Sequence, residues 1–310
     1  MTVTHLALIG PTASGKSALA LGAARALGDV EIVSIDSMQV YRGMDVGTAK
    51  PSEAERAAVP HHVIDVADPW DDWSVTRSQA AARAAVADVE ARGRRALLVG
   101  GTGLYVQAVV DDLSFPGEDL ALRADLEAQT AEPGGVAAAH AELQGLDPDA
   151  AARIDPHNAR RIVRALEVIR LTGRPFSSFG PGLRQFGPTA FPVALAGVWL
   201  PRDVLSRRIA ERFAAMRANG LVEEVRRLCA DPRGLSRTAA QAIGYKETID
   251  ALRSHEPGAL DEAFDLAVRR TRSFARRQRM WFRRDPRITW LATAENPCVL
   301  LPSLLATWSR

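Results

Sequence analysis

Apolar residues fall into two rhythms along this chain. Short, mostly apolar runs at 6–9, 31–35, 95–99 and 193–200 have the length of buried strands. Between the first three, a stretch rich in Ala and Leu at 16–27 and one rich in Ala at 74–92 read as helices. Strands alternating with helices predict a mostly parallel sheet covered on both faces. The rhythm changes at Phe115-Pro116-Gly117, after which 120–172 carries helices and turns but no strand pattern. A loop follows at 175–192, with five further Gly or Pro residues between its terminal prolines. From Pro201 onward the pattern is mainly helical. The expected architecture is therefore α/β: a P-loop core with a mostly parallel sheet flanked by helices (1–115 and 191–310), interrupted by a helical insertion domain at 116–190.

Composition narrows this only slightly. The 310 residues are enough for one large core and a smaller unit. Hydrophobic residues at 47% and charged residues at 25% are ordinary for a globular protein, and a formal charge of +2 does not announce a nucleic-acid binder. Distribution says more, because nine arginines and one acid lie between Arg269 and Arg287. Two readings stand there: a solvated or core-pinned helix, or an RNA-facing surface. The two cysteines, Cys229 and Cys298, have no metal-ligand spacing, which fits a reduced, cytoplasmic setting. No apolar run is long enough for a signal peptide or a membrane span, so no membrane association is expected.

Chemistry enters with Gly10, Pro11, Thr12, Ala13, Ser14, Gly15, Lys16 and Ser17, a complete G-x-x-x-x-G-K-[ST] phosphate loop of the ATP-binding type. It follows a strand and opens a helix. The glycines let backbone N–H groups turn toward phosphate oxygens, and the helix N-terminus adds its dipole. Lys16 supplies a charge, and the Ser17 hydroxyl is the candidate Mg²⁺ ligand. Such a loop holds a diphosphate whether a phosphoryl group or the diphosphate itself departs.

Asp36 closes the second strand and should face the same cleft, since parallel strands deliver their carboxyl ends to one edge. General base, metal ligand through water and helix cap all remain open for it. The third strand ends without an acid and offers Thr102, either as a free hydroxyl or as a helix cap; the missing acid disfavours a motor ATPase. Arg208 and Arg212, one helical turn apart, reach a diphosphate or else form an ion-pair face with Glu211 and Glu223. Adjacent His61 and His62 on an extended segment point to opposite sides, which favours hydrogen-bonding roles over a shared metal.

Six ordered blocks carry a resemblance. They are residues 36–51 (Asp36-Ser37-Met38-Gln39-Val40-Tyr41-Arg42-Gly43 and onward), Pro60-His61-His62-Val63-Ile64-Asp65-Val66, Gly100-Gly101-Thr102-Gly103-Leu104-Tyr105, Arg161-Ile162-Val163-Arg164-Ala165-Leu166-Glu167-Val168, Gln241-Ala242-Ile243-Gly244-Tyr245-Lys246-Glu247, and Arg276-Arg277-Gln278 with Trp281-Phe282-Arg283. Together they resemble the bacterial tRNA dimethylallyltransferases, also called tRNA isopentenyltransferases, over nearly the whole chain. Ala240 and Arg77-Ser78 depart from the family's pattern.

The resemblance implies transfer of a dimethylallyl group from dimethylallyl diphosphate to N6 of the adenosine 3′ of the anticodon. Diphosphate would sit in the phosphate loop with Mg²⁺, Asp36 would serve as base and Thr102 would position the amine. It also implies tRNA contacts by Asp36, Ser37, Met38 and Gln39, by Thr102, by Arg160, Arg161, Ile162, Val163 and Arg164, and by Gln241, Ala242, Ile243, Gly244, Tyr245 and Lys246, with Arg276 and Arg277 on RNA phosphates. The implied partners are the tRNA anticodon stem-loop and dimethylallyl diphosphate, bound by a monomer. Three rivals keep the phosphate loop: a small-molecule kinase, a prenyltransferase of free adenine nucleotides, and an RNA-binding module with a relic loop. The insertion and basic tail favour a large RNA substrate.

Overall fold

A computed structural model of the chain describes residues 5–111, 113–179, 183 and 185–308. It divides into two compact units, residues 1–112 with 186–310, and residues 113–185.

The larger unit is built on six strands, β1 (His5–Ile9), β2 (Val30–Ser34), β3 (His61–His62), β4 (Arg95–Gly100), β5 (Val193–Trp199) and β6 (Ile288–Ala292). They are all parallel and ordered β3-β2-β4-β1-β5-β6. Before β5 come α1 (Lys16–Leu27), α2 (Glu53–Ala58), α3 (Val75–Ala91) and α4 (Gly103–Val110). The smaller unit holds α5 (Leu120–Ala131), α6 (Gly135–Leu146), α7 (Pro148–Arg153) and α8 (Ala159–Thr172). After β5 come α9 (Arg202–Ala218), α10 (Leu221–Ala230), α11 (Arg237–Ala240), α12 (Tyr245–Ser254), α13 (Ala259–Phe282) and α14 (Leu301–Trp308).

Every residue of β1 and β2 is buried, as expected when helices cover both faces of a parallel sheet. The period of two sorts the side chains. Leu6, Leu8, Ile32, Leu97 and Val198 join α1 and α14 in one core. Ala7, Ile9, Val33, Leu98 and Leu195 join α3, α4, α9, α10, α12 and α13 in the other. The phosphate loop thus emerges from the middle of a sheet clamped on both sides.

The sequence pattern did not reveal β6, which begins directly after the last tail arginine, Arg287. Its alternating burial shows why: as an edge strand with exposed Thr289 it has no continuous apolar run. The two-residue β3 leaves no periodic signal at all. His61 and His62 serve hydrogen bonds, to the Val59 carbonyl (2.7 Å) and Glu31 (2.6 Å). Buried Ser78 accepts the Trp73 indole N–H, which accounts for a hydroxyl where an apolar residue is expected.

The smaller unit has its own core of Leu126, Leu143, Ile154, Ile162, Val163 and Leu166. Fully buried Glu167 accepts from the Asp119 amide and the Arg123 guanidinium, and pairs with Arg164 at 2.9 Å. Residues 180–182 and 184 of the expected 175–192 loop lie outside the described residues. Phe176–Phe179 forms a short 3-10 turn.

Candidate active site

The phosphate loop turns into α1 at Gly15, whose φ of +83° suits glycine. With no side chain capping the helix, its first amides stay available for an anion. Lys16 extends along the loop and donates to the Pro11 carbonyl at 2.8 Å. Burial pulls its ammonium down to about 8, against the attraction of Asp36; Arg212 pushes the same way as burial. The Ser14 hydroxyl is fully buried without a hydrogen-bond partner among the described residues, and Ser17 is exposed on the first turn.

α9 forms a second wall. Arg208 donates to the Ala13 carbonyl at 2.9 Å, and Arg212 donates to Thr48 O at 3.3 Å. Burial also lowers the Arg212 guanidinium, and Asp36 opposes that shift. The ion pairs go elsewhere on the surface, Arg207 with Glu211 and Arg226 with Glu223. Arg208 and Arg212 therefore face the loop rather than form the alternative ion-pair face.

Asp36 lies two residues past β2. One carboxylate oxygen, Oδ1, accepts from the Met38 amide (2.8 Å) and the Gln39 amide (3.3 Å), so it shapes the turn. No hydrogen bond engages the other oxygen among the described residues. Across the edge, Thr102 precedes α4, but its hydroxyl makes no capping hydrogen bond. Side-chain capping is thus excluded, which leaves the hydroxyl available for other partners. Ser37, Met38 and Gln39 are half-buried; Gln39 accepts from Ser34 Oγ at 3.0 Å and donates to the Thr48 and Ala49 carbonyls.

Three residues that sequence reasoning left without a role hold this site. Gln278 on α13, only 5% exposed, accepts the Thr12 amide (2.9 Å) and donates to Gly101 O (2.7 Å). It joins the phosphate loop to the Thr102 turn; its place in the last family block was the signal. Glu224, 7% exposed, accepts the amides of Asp45 and Val46 at 2.9 Å and Gly47 at 3.2 Å, and the Tyr245 hydroxyl at 2.5 Å. Its signal was a carboxylate on the apolar stripe Leu221, Val225, Leu228 of α10. Lys50, with its side chain 2% exposed, binds Tyr41 O, Asp45 and Asp65.

Several residues expected to meet RNA cannot do so through their side chains. Ile162 and Val163 are in the smaller unit's core, and Ala242 and Tyr245 are in the larger one. Burial and Glu224 push the Tyr245 hydroxyl well above the usual phenol range. Ile243 packs against the same core, and Gly244 is buried. Arg164 is engaged with Glu167 and the Pro116 and Gly117 carbonyls. Arg160, Arg161 and Gln241 are exposed, and half-buried Lys246 pairs with Asp250. Periodic apolar residues inside these blocks carry the helices, so only their polar members face solvent. Arg276 and Arg277 are exposed on α13. Trp281 packs against Gly103, where a Cβ would meet its ring at 2.3 Å, and Phe282 is buried. These two aromatics pin the helix to the core and are not stacking platforms for bases.

Mg²⁺ usually takes one or two protein oxygens beside phosphate and water. The free Ser17 hydroxyl suits that pattern, and the described residues hold no cluster of three or more His, Cys, Asp or Glu that would bind a metal without phosphate.

A phosphate loop on a parallel sheet, with a carboxylate and a hydroxyl on neighbouring strand ends, defines a phosphate-loop α/β transferase. The IPP transferase family model matches residues 39–285. The chain is 52% identical to a tRNA dimethylallyltransferase of Kineococcus radiotolerans, covering 95% of this chain and 92% of that one. It is 50% identical to one of Salinispora arenicola, covering 96% and 84%. A crystal structure of the full-length tRNA isopentenylpyrophosphate transferase of Bacillus halodurans superposes with a TM-score of 0.70 at 37% identity, covering 99% of this chain and 97% of that one. A eukaryotic dimethylallyltransferase acting on tRNA gives a TM-score of 0.78 at 25% identity, covering 94% and 74%. The chain belongs to the IPP transferase family.

Proposed function

We propose that this enzyme, a tRNA dimethylallyltransferase, transfers the dimethylallyl group of dimethylallyl diphosphate to N6 of the adenosine 3′ of the anticodon in tRNA. The observation that carries the mechanism is the grouping of Lys16, Arg212 and Asp36 within electrostatic reach of one another, next to an uncapped Thr102 hydroxyl.

The exocyclic amine is a poor nucleophile because its lone pair is delocalised into the ring. As N6 bonds to the allylic C1, the C1–O bond breaks and its electron pair leaves with the diphosphate. The N6 proton becomes acidic and passes to the free Asp36 oxygen, while Thr102 orients the amine. Backbone amides of the loop, Lys16, Arg208 and Arg212 stabilise charge on the departing diphosphate. Ser17 would hold Mg²⁺, which supplies further neutralisation of the diphosphate when bound. No covalent enzyme intermediate is needed. Arg160, Arg161, Gln241, Arg276 and Arg277 are the exposed groups assigned to tRNA. The proposal includes a cytoplasmic monomer, in keeping with two unpaired cysteines.

The test is incubation of purified protein with unmodified tRNA, Mg²⁺ and dimethylallyl diphosphate, followed by mass analysis of digested nucleosides. One added dimethylallyl unit on adenosine, lost in Asp36→Ala, is the expected result. No adduct, together with ATP consumption in the presence of a small acceptor, would establish a kinase instead.

A further inference from the structure

Arg279 sits one residue beyond the Gln278 tether and stacks its guanidinium on Trp199, 3.7 Å from the ring centroid. Its Nη1 is buried and has no hydrogen-bond partner among the described residues. A guanidinium carries five donors, and leaving one buried and unpaired is unfavourable. Its charged neighbours make this worse. Arg283 lies over the same ring at 5.9 Å, and burial together with the like charges of Arg202 and Arg283 lowers Arg279 below the usual guanidinium range. Among the described residues no carboxylate pairs with any of the three. Two cations over one indole, a third close enough to act on Arg279, and a buried donor with no protein partner among the described residues are the features of an anion-binding site.

The cluster adjoins the phosphate loop through two tethers. Gln278 binds the Thr12 amide. Val198, the residue before Trp199, places its carbonyl 3.1 Å from where a Cβ on Gly10 would stand. Strand order fixes the side. β4 and β2, which deliver Thr102 and Asp36, lie on one side of β1, and β5, which delivers Trp199, lies on the other. The anion site therefore flanks the phosphate loop away from the acceptor amine. Arg202 and Arg283 are exposed, so it opens to solvent.

We propose that Arg279 and Arg283 over Trp199, with neighbouring Arg202, form an accessory diphosphate subsite, which receives the diphosphate group on its way into or out of the phosphate loop. This rests on the transferase reading for its ligand, and its position on the far side of β1 favours diphosphate over an RNA phosphodiester. Diphosphate suits three neighbouring guanidinium forks, which bind phosphate oxygens in pairs.

Calorimetric titration of the full-length chain with inorganic diphosphate tests it without tRNA or turnover. Wild type should show two sites. Arg202→Ala/Arg283→Ala, which changes only exposed side chains, should weaken the looser site at least about tenfold and spare the tighter one. Arg279→Met should do the same, and Lys16→Met should remove the tighter site and spare the looser. A single site in wild type, or an unchanged looser site in the double variant, overturns the proposal. So does a fall of about one to two in the salt slope of tRNA binding with the diphosphate isotherm unchanged, since that assigns the cluster to RNA phosphates. Prenyl transfer by the wild-type preparation reports the proposed function separately, because a second diphosphate site can be absent while transfer proceeds.

Discussion

Lys16 makes diphosphate binding depend on pH in a direction that can be worked out. Burial holds the ammonium at about 8 in the ligand-free site, against 10.5 for an exposed lysine. That lowering corresponds to about 3 kcal/mol of disfavoured charge. In the absence of ligand, the unfolded chain binds this proton more readily than the folded one. The destabilisation is therefore full below about pH 8 and fades as pH rises toward about 10.5. A bound diphosphate reverses the balance, because an anion beside the ammonium restores its proton affinity. Binding then requires the charged form. Affinity should be flat below about pH 7, fall about twofold by pH 8 and about tenfold by pH 9, a loss of about 1.4 kcal/mol. Near pH 8 each binding event should take up about half a proton. Calorimetry in buffers of different ionisation enthalpy measures both quantities. The control is Lys16→Arg, which stays charged throughout and retains only the pH dependence that belongs to the ligand. Identical affinity profiles and proton uptake in wild type and Lys16→Arg up to about pH 9 would refute the reasoning.

Other residues give sharper genetic tests. Asp36→Asn keeps the oxygen that accepts the Met38 and Gln39 amides but removes the base, so kcat should fall about 10²–10³-fold with tRNA affinity nearly unchanged; a parallel loss of tRNA binding in filter assays would make Asp36 a structural residue only. Gln278→Glu keeps the acceptor for Thr12 N but cannot donate to Gly101 O, and kcat should drop about tenfold through loss of alignment between loop and acceptor. Steady-state kinetics with wild-type values would show that this bridge does not matter. Glu224→Gln brings an amide donor into a ring of four donors and should lower stability by about 2–4 kcal/mol in urea unfolding. An unchanged midpoint would mean the Asp45–Gly47 turn holds without it.

What was legible in the sequence followed from physics that acts locally. Mostly apolar runs gave β1, β2, β4 and β5 because both faces of the sheet are covered. The phosphate loop was readable because each residue type answers to a backbone or charge requirement within eight positions. β3 and β6 escaped because edge strands satisfy their burial through neighbours distant in sequence. Glu224 and Gln278 escaped for the same reason, since the backbone groups they hold lie 177–179 and 177–266 positions away. The family blocks pointed to the right segments but not to the right atoms. In Gln241–Lys246, Ala242 and Tyr245 are core residues, and a block shared for packing looks the same as one shared for contact.

The arginine-rich tail shows how far composition can mislead about a single helix. α13 crosses three strand ends in four residues: Gln278 holds the loops after β1 and β4, Arg279 covers Trp199 at the end of β5, and Trp281 packs on Gly103 after β4. A merely solvated face would need none of these contacts, and a purely RNA-binding face would leave the aromatics free. Instead the inward side of the helix fixes the geometry of the diphosphate site, and the outward side leaves Arg276 and Arg277 exposed. A force on the outer arginines is thereby mechanically linked, through one rigid helix and the Gln278 amide, to the loop that must hold the leaving group. Gln278→Glu should for that reason reduce the rate of prenyl transfer more than it reduces binding of either substrate alone.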